Sequence, residues 1–401
     1  MSFSGNYNSP DPAMDAENQS PGLGNLFGLL SVTMVLVAFG LNMLYSAGGS
    51  DMGVASRLFY NQLAMTVLGV LGGTVVFILS PRFFCKRSLW WLAGCAVLLI
   101  WARFSKEVNG AHRWIHVAGH TFQPSELAKI AVAIFVADYC AEHQRTFNTL
   151  DPRSHYGMLP LAAGVGIMLL LIVIGKDLGT TLLVAAVAFL TMCVANLKWY
   201  FYAVPLALAP VGVLFIRFFD PMRWARMTIY LDPERYKNQE GYQLWNAFMA
   251  LGSGAWYGVG LGHSRLKAKY LPEAHTDFII AIIGEELGYL GVLAVILLYI
   301  VWGFFAIRIA LQARKRSYML LGCALTLGVV LQAIINLGVV SGLFPTKGMP
   351  APFISYGGSN MVCSLLATGF LAAIAMDNCI SDYNVKWWRQ FKNFLRPGRN
   401  E

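Results

Sequence analysis

Long apolar stretches alternate with short polar connections along almost the whole chain. Each stretch approaches the roughly 20 residues that a helix needs to cross the hydrocarbon core of a bilayer. We therefore predict ten membrane-spanning helices and an all-α, polytopic integral membrane protein. The predicted spans cover residues 25–46, 61–80, 88–102, 124–141, 159–175, 178–196, 198–217, 279–307, 317–342 and 356–376.

The composition agrees with this class. Hydrophobic residues make up 57% of the 401 positions and charged residues 13%, about half the charged share of a soluble domain. A soluble enzyme is therefore excluded. None of the seven cysteines lies in a predicted external loop, so neither a disulfide framework nor a cysteine metal site is expected. The net charge of +9 is explained by the connections and one basic tail, and we expect no nucleic-acid binding.

Lys and Arg are concentrated in alternate short connections, which assigns that side and both termini to the cytoplasm. Residues 1–24 are rich in Ser, Asn, Pro and Asp and are predicted to form a disordered cytoplasmic tail. They lack the basic start of a signal peptide, so the first span should be retained. Residues 377–401 are predicted to form a basic amphipathic cytoplasmic tail that contacts membrane lipids, the alternative being a frayed tail that anchors nothing.

One connection is much longer than the others. Residues 218–276 form a predicted extracytoplasmic loop between spans seven and eight, and long loops are usually functional or disordered. Its aromatic content favours short helices at the outer membrane interface rather than a solvated coil. The aromatic residues are Trp224, Tyr230, Tyr236, Tyr242, Trp245, Phe248, Trp256 and Tyr257.

Asp277 stands at the mouth of a span that also carries Glu285 and Glu286. Carboxylates in a membrane span are costly and usually serve function. Eight or nine helical residues separate the two glutamates from Asp277 by about 12–13.5 Å, on other faces of the helix. They are therefore not predicted to pair with Asp277. They are expected to face an internal polar cavity or to bond neighbouring helices.

Three pairs of segments resemble the SEDS (FtsW/RodA) family of peptidoglycan glycosyltransferases. The first pair is GAHRWI at 110–115 with QPSELAK at 123–129, and the second is YLPEAHTDF at 270–278 with GEELG at 284–288. The third is PTKG at 345–348 with PFISYGGS at 352–359. The ten spans and the long loop match as well, so the resemblance covers nearly the whole chain.

The resemblance implies polymerisation of lipid II at the outer face of the bacterial cytoplasmic membrane, with release of undecaprenyl pyrophosphate. It also implies a class B penicillin-binding protein, a transpeptidase, as partner. The essential aspartate of the family falls on Asp277 and its lysine in the Pro-Thr-Lys-Gly motif on Lys347. Its Arg-Trp pair falls on Arg113 and Trp114, and its Glu-x-x-Lys pair on Glu126 and Lys129.

Such a reaction needs a base for the acceptor hydroxyl and positive charge for the departing pyrophosphate. Asp277 is the candidate base, and the alternative is an ordinary helix N-cap. His275 is placed to tune Asp277 or to touch substrate. Arg113 and Lys347 are candidate pyrophosphate ligands, or else lipid-headgroup anchors.

Other candidate substrate-binding residues lie in and above the spans. Glu126 and Lys129 share one helical face. Either they form a salt bridge between helices, or Lys129 faces a cavity below Asp277 and holds that acid or an acceptor group. Ser355 and Ser359 flank a Gly-Gly pair that is a turn or a close approach to a ligand.

No protein metal site is predicted. His112, His116 and His120 have helical spacing, but glycines at 110 and 119 argue against a helix there. A divalent cation, Mg²⁺ or Mn²⁺, is compatible with binding at the substrate pyrophosphate through Asp277 and the phosphates.

The run at 270–278 and the polar N-terminal tail favour the division-type branch of the family, with other division-complex proteins as partners and the septum as location. Thr121, His263 and Lys269 depart from that branch's pattern. An elongation-type polymerase, a lipid II flippase and a non-catalytic division scaffold are the alternatives.

Overall fold

The computed structural model describes residues 21–48, 52–105, 107, 112–117, 120–149, 157–203, 241–264 and 275–382, together with scattered residues between 207 and 236. In this part of the chain the structure is almost entirely helical, and its single sheet is a two-stranded hairpin. The predicted all-α membrane architecture is confirmed.

The described helices are separated by connections of very different length, the longest lying between Val194 and Tyr242. They are α1 Pro21–Ala47, α2 Met52–Leu79, α3 Pro81–Cys85, α4 Ser88–Arg103, α5 Pro124–Glu142, α6 Met158–Ile174, α7 Leu178–Val194, α8 Tyr242–Gly254, α9 Ile279–Leu311, α10 Arg316–Val340 and α11 Gly358–Asp382. The strands are β1 Ile115–Val117 and β2 His120–Phe122, and a 3₁₀ helix covers Trp199–Tyr202.

Nine of the ten predicted spans coincide with described helices. The seventh, 198–217, is described only in pieces, as the 3₁₀ helix Trp199–Tyr202 and scattered residues after it, so the count of ten stays a prediction. Five of the described helices are long and apolar enough to cross a membrane: α1, α2, α9, α10 and α11. The apolar helices α4, α6 and α7 are shorter, and α5 carries Glu126, Lys129 and Asp138.

Two predicted tail boundaries are wrong. Helix α1 begins at Pro21, so residues 21–24 belong to the first helix and not to the N-terminal tail. Helix α11 continues to Asp382, into the predicted C-terminal tail. It is held by polar contacts at its end, because Asp377 lies 4.0 Å from Lys315 and Asn378 donates to the carbonyl of Ile309. The remainder of both tails lies outside the described residues.

Helices α2 and α11 pack closely through glycines. A methyl group placed on Gly369 would lie 2.6 Å from the Cα of Gly73, and one on Gly73 would lie 3.0 Å from the carbonyl oxygen of Leu365. Small residues allow membrane helices to approach backbone to backbone, which increases their van der Waals contact. This pairing fixes the position of α11, which carries Ser359 and Asn360 in its first turn.

Helix α9 is broken at Gly288, whose φ of 70° is left-handed. The piece after the break, residues 289–311, is roughly 34 Å long at about 1.5 Å per residue and can cross the hydrocarbon core alone. The piece before it, residues 279–287, is a short helix buried from Ile279 to Glu286. The predicted span 279–307 coincides with α9, but the break at Gly288 was not predicted, because the periodicity of an apolar run does not reveal a break at one glycine.

The segment after α8 completes the hydrogen bonds at this break. The amides of Val259 and Gly260 donate to the carbonyls of Glu285 and Glu286, at 2.9 and 3.0 Å. The amide of Tyr289 donates in turn to the carbonyl of Ala255 at 2.8 Å. Backbone groups freed by a break need such partners at membrane depth.

We predict that Gly288→Ala destabilises the protein. The φ of 70° is strained for alanine, and the added methyl group would lie 2.5 Å from the amide nitrogen of Gly258. Thermal unfolding in detergent should show a lower midpoint, corresponding to a loss of about 1–3 kcal/mol. Gly94→Ala is the control, because nothing lies within 4 Å of the new methyl group. Equal midpoints for the two variants would contradict the prediction.

Candidate active site

Asp277 lies in the turn that precedes the short helix 279–287. The N-cap residue is Phe278, so the alternative of an ordinary aspartate N-cap is wrong. The carbonyl of Asp277 accepts a hydrogen bond from Asn336 Nδ2 at 2.9 Å, and the same nitrogen donates to the carbonyl of Met349 at 2.6 Å. The backbone of Asp277 is thereby tied to α10 and to the connection before α11.

The Asp277 side chain is half-buried and lies against Gly348. A methyl group on Gly348 would lie 2.5 Å from Oδ2 of Asp277. Glycine is therefore required at 348 for the carboxylate to keep this position. Gly348 itself is exposed, which leaves the carboxylate reachable from outside the bundle.

His275 joins this turn to the connection before α11. Its carbonyl accepts from the amide of Tyr356 at 2.9 Å, and the two rings meet edge to face at 5.4 Å. The buried side chain of Gln62 on α2 holds the same connection, by donating to the carbonyl of Ser355 and accepting from the amide of Gly357. The Ser355 hydroxyl accepts from the amide of Ala351 at 2.8 Å, a bond that stabilises the turn.

Lys347 lies beside the first turn of α7. A methyl group on Gly179 would lie 3.0 Å from Lys347 Nζ. A cation at a helix N-terminus is unfavourable for the helix dipole, so other negative charge must balance it. Asp177, two residues before Gly179, is one such charge.

Asp177 is the N-cap of α7 and connects several parts of the site. Only 6% of the residue is exposed. Oδ2 accepts from Gln123 Nε2 at 2.8 Å and from Ser125 Oγ at 2.9 Å. Oδ1 accepts from the amide of Thr180 at 3.3 Å and lies 4.0 Å from Arg113 Nη1.

Arg113 and Trp114 precede the hairpin of β1 and β2. About a third of the Arg113 side chain is exposed, so its guanidinium can contact both Asp177 and a ligand outside. Trp114 is half-buried. His116 and His120 lie in the two paired strands, so the helical spacing that would align them with His112 does not apply.

Ser359 connects the start of α11 to the start of α5, because its hydroxyl accepts from the amide of Gln123 at 2.8 Å. Gln123 also binds Asp177 at the start of α7. The N-termini of α5, α7 and α11 therefore meet. Each carries partial positive charge from the helix dipole, and together they favour an anion.

Glu126 and Lys129 form an ion pair one turn into α5, with Nζ 2.6 Å from Oε2. Lys129 Nζ also donates to Gln332 Oε1 on α10 at 2.6 Å. The amide nitrogen of Gln332 in turn donates to Asn360 on α11 and to the carbonyl of Pro350. The ion pair therefore lies within α5 and is not the predicted salt bridge between helices; the bond from Lys129 to Gln332 is what connects α5 to α10. Lys129 and Gln332 also line a cavity of about 40 Å³.

Glu285 and Glu286 hold the outer loop and a neighbouring helix. Glu285 accepts a hydrogen bond from the hydroxyl of Ser264, and Glu286 accepts one from Ser46 on α1 at 2.5 Å. Oε1 of Glu286 also accepts from the amide of Ser264 at 3.4 Å. These contacts agree with the prediction of structural polar contacts.

Several residues of this region are absent from the sequence-based set: Gln123, Asp177, Gln332, Asn336 and Asn360. The signal for Asp177 was its place between a loop lysine and an apolar run, typical of an N-cap. The amides gave no signal, because their partners lie up to about 240 residues away in sequence.

The arrangement brings one accessible carboxylate, two cations and three helix N-termini to one end of the bundle. It can bind an anionic group and remove a proton beside it. All seven cysteines are free thiols, and none belongs to this set.

A family model described as "Cell cycle protein" (FtsW/RodA/SpoVE) matches residues 27–379. Two relatives, both named probable peptidoglycan glycosyltransferase FtsW, come from Taylorella equigenitalis and Nitrosomonas europaea. Each is 36% identical, over 329 and 370 residues; the matches cover 80% and 87% of this chain and 88% and 92% of the relatives.

Solved structures of related proteins have the same fold as this chain. A chain of a peptidoglycan synthase complex, described for coordinated polymerization and crosslinking, has a TM-score of 0.74 at 26% identity and covers 88% of this chain and 98% of its own. The rod shape determining protein RodA of Thermus thermophilus shares the fold, with a TM-score of 0.65, 24% identity and coverages of 88% and 97%. The chain belongs to the FtsW/RodA/SpoVE family.

Proposed function

We propose that this protein is a peptidoglycan glycosyltransferase that polymerises lipid II into glycan strands and releases undecaprenyl pyrophosphate. The observation that carries the proposal is the position of Asp277. Its half-buried carboxylate lies against Gly348, and the adjacent residue, Lys347, lies beside the first turn of α7. The segment 347–348 therefore connects the acid to a cation at a helix N-terminus. The relatives named for this activity, at 32–38% identity, support it.

Asp277 acts as the general base. It accepts the proton of the acceptor sugar hydroxyl while that oxygen forms a bond to the anomeric carbon of the donor. The bond between that carbon and the pyrophosphate oxygen breaks, and the electron pair leaves with the pyrophosphate. A base in hydrogen-bond reach of the hydroxyl contributes about 10²–10⁴-fold to such a step.

Arg113 and Lys347 bind the pyrophosphate and stabilise its growing charge. The N-termini of α5, α7 and α11 add to the same field. Asp177 positions Arg113 and joins α5 to α7 through Gln123 and Ser125. Trp114 and His275 complete the substrate-facing set. The buried Ser359 holds α11 to the start of α5, and Lys129, paired with Glu126, fixes α5 against α10.

A divalent cation belongs to the proposal as a companion of the substrate. Among the residues that the structure describes, no group of three His, Cys, Asp or Glu side chains is placed to hold a metal ion. Asp277 would be the protein ligand and the phosphates would supply the rest, and the ion would neutralise the leaving group. Loss of polymerisation on chelation, restored by Mg²⁺ or Mn²⁺, tests this ligand.

The protein works in the bacterial inner membrane with both termini in the cytoplasm, so that the site faces the outer side. The similarity to FtsW-named relatives supports a role at the division septum. The similarity to a chain of a peptidoglycan synthase complex supports a partnership with a penicillin-binding transpeptidase.

We predict that Asp277→Asn abolishes polymerisation of purified lipid II by the protein in liposomes. The amide cannot accept the proton, so the rate should fall by about 10²–10⁴-fold. Gel analysis of labelled glycan strands measures it. Asp232→Asn is the control, because this exposed aspartate of the same outer connection bonds only locally, to the amide of Arg235.

The same assay separates the other function classes. Lipid II that crosses the bilayer without polymer would indicate a flippase, and neither activity would indicate a scaffold. Strands formed by Asp277→Asn at the wild-type rate would end the proposal.

We predict that Gly348→Ala also slows polymerisation although it leaves every charge in place. The new methyl group would push the Asp277 carboxylate from its position, and displacement by about 1 Å can cost roughly 100-fold. Gly252→Ala, whose methyl group would have no atom within 4 Å, should keep the wild-type rate. A matching rate for the two variants would show that the position of Asp277 does not matter.

A further inference from the structure

A second charged cavity lies at the other end of the bundle, which the distribution of Lys and Arg predicts to face the cytoplasm. Its volume is about 300 Å³, within the lower range of ligand pockets. It opens between the short helix α3, the end of α5 and the start of α10. Its main lining residues are Arg82, Lys86, Asp138, Glu142, Lys315 and Tyr318.

The two signs of charge come from different walls of the cavity. Arg82 and Lys86 extend from α3 and its C-cap and are exposed, and neither forms an ion pair within the described part of the chain. Asp138 and Glu142 are four residues apart and share one face of α5. Asp138 is 8% exposed and accepts from the Ser88 hydroxyl at 2.8 Å.

Lys315 and Tyr318 close the third wall. Lys315 Nζ lies 4.0 Å from Asp377 and 3.4 Å from the Tyr318 hydroxyl, so this lysine already has partners. The thiol of Cys85 lies between the walls, and its burial, with Asp138 and Glu142 adding to the effect, raises its pKa to about 12. The thiol therefore stays neutral, and the charge of the cavity comes from its cations and carboxylates.

The side chains beside the cavity are typical of the lipid headgroup region. The residues that begin α4, directly after α3, are exposed aromatic and apolar side chains: Leu89 at 65%, Trp90 at 78% and Trp91 at 38%. Tryptophan is enriched where membrane meets water. Basic pockets between helices at this interface bind the phosphates of lipid headgroups.

We propose that this cavity binds the headgroup of a phospholipid that carries both a phosphate and a primary ammonium, as phosphatidylethanolamine does. The phosphate lies against Arg82 and Lys86, where guanidinium and ammonium donors meet its oxygens. The ammonium lies against Glu142 and Asp138. A headgroup with negative charge alone meets the two carboxylates and is disfavoured by their repulsion.

Native mass spectrometry of the full-length protein tests the site. The protein is titrated in detergent with phosphatidylethanolamine and with phosphatidylglycerol of the same acyl chains. The wild-type protein should retain phosphatidylethanolamine more strongly. Equal retention, or preference for phosphatidylglycerol, would overturn the proposal.

Two kinds of variant test the cationic and the acidic wall of the cavity separately. The double variant Arg82→Gln, Lys86→Gln should bind phosphatidylethanolamine about tenfold or more weakly, because charge-assisted bonds to the phosphate are lost. Glu142→Gln should keep the phosphate contacts but lose the preference over phosphatidylglycerol. All three side chains are exposed, so these proteins should fold normally.

Arg87→Gln is the matched control. This neighbouring cation lies over the ring of Phe83 at 4.5 Å and does not line the cavity, so its removal should change nothing. If this variant lost as much phosphatidylethanolamine binding as the double variant, general surface charge would explain the effect and the site would be refuted. Excess soluble phosphoethanolamine should displace the lipid; failure to displace it would refute headgroup recognition. Binding of this compound as tightly as the lipid would assign the cavity to a free phosphate ester.

Discussion

Polar groups inside this bundle depend on partners within the chain, because the surrounding lipid offers none, and among the described residues only a few buried side-chain atoms have no hydrogen bond. This constraint explains why the buried charges occur in linked sets rather than alone. Lys129 bonds Glu126 and Gln332 together, and Asp177 gathers donors from the connection before α5 and from α7. An unpaired charge at these depths would cost several kcal/mol or more. The partners therefore fix the helices that carry them.

Hydrogen bonds between buried polar groups also determine which helix ends meet at the candidate active site. The starts of α5, α7 and α11 converge because Gln123 bonds both Asp177 and Ser359. Helix ends with positive character would repel one another without a carboxylate among them. Asp177 therefore holds the cluster together and lies beside Arg113, whose guanidinium stays about one third exposed at its edge.

Much of the fold follows from periodicity, because lipid imposes length and apolarity on each span. The sequence also indicated Asp277 and the pair Glu126 and Lys129, since charge in a span stands out against an apolar background. The break at Gly288 and the hairpin at 115–122 did not stand out. One glycine in an apolar run and two three-residue strands leave the pattern unchanged. Asp177 was missed because its partners come from segments more than 50 residues away.

The interrupted α9 has a mechanical consequence. Before the break, the carbonyls of Glu285 and Glu286 accept hydrogen bonds from the amides of residues 259 and 260. After it, the amides of residues 289 and 290 donate to the carbonyls of Ala255 and Trp256. Residues 255–260 thus supply hydrogen-bond partners to the backbone on both sides of the break at Gly288. The short helix 279–287, about two and a half turns long at about 3.6 residues per turn, lies between these hydrogen bonds and Asp277. A displacement of residues 255–260 would therefore shift the turn that carries Asp277.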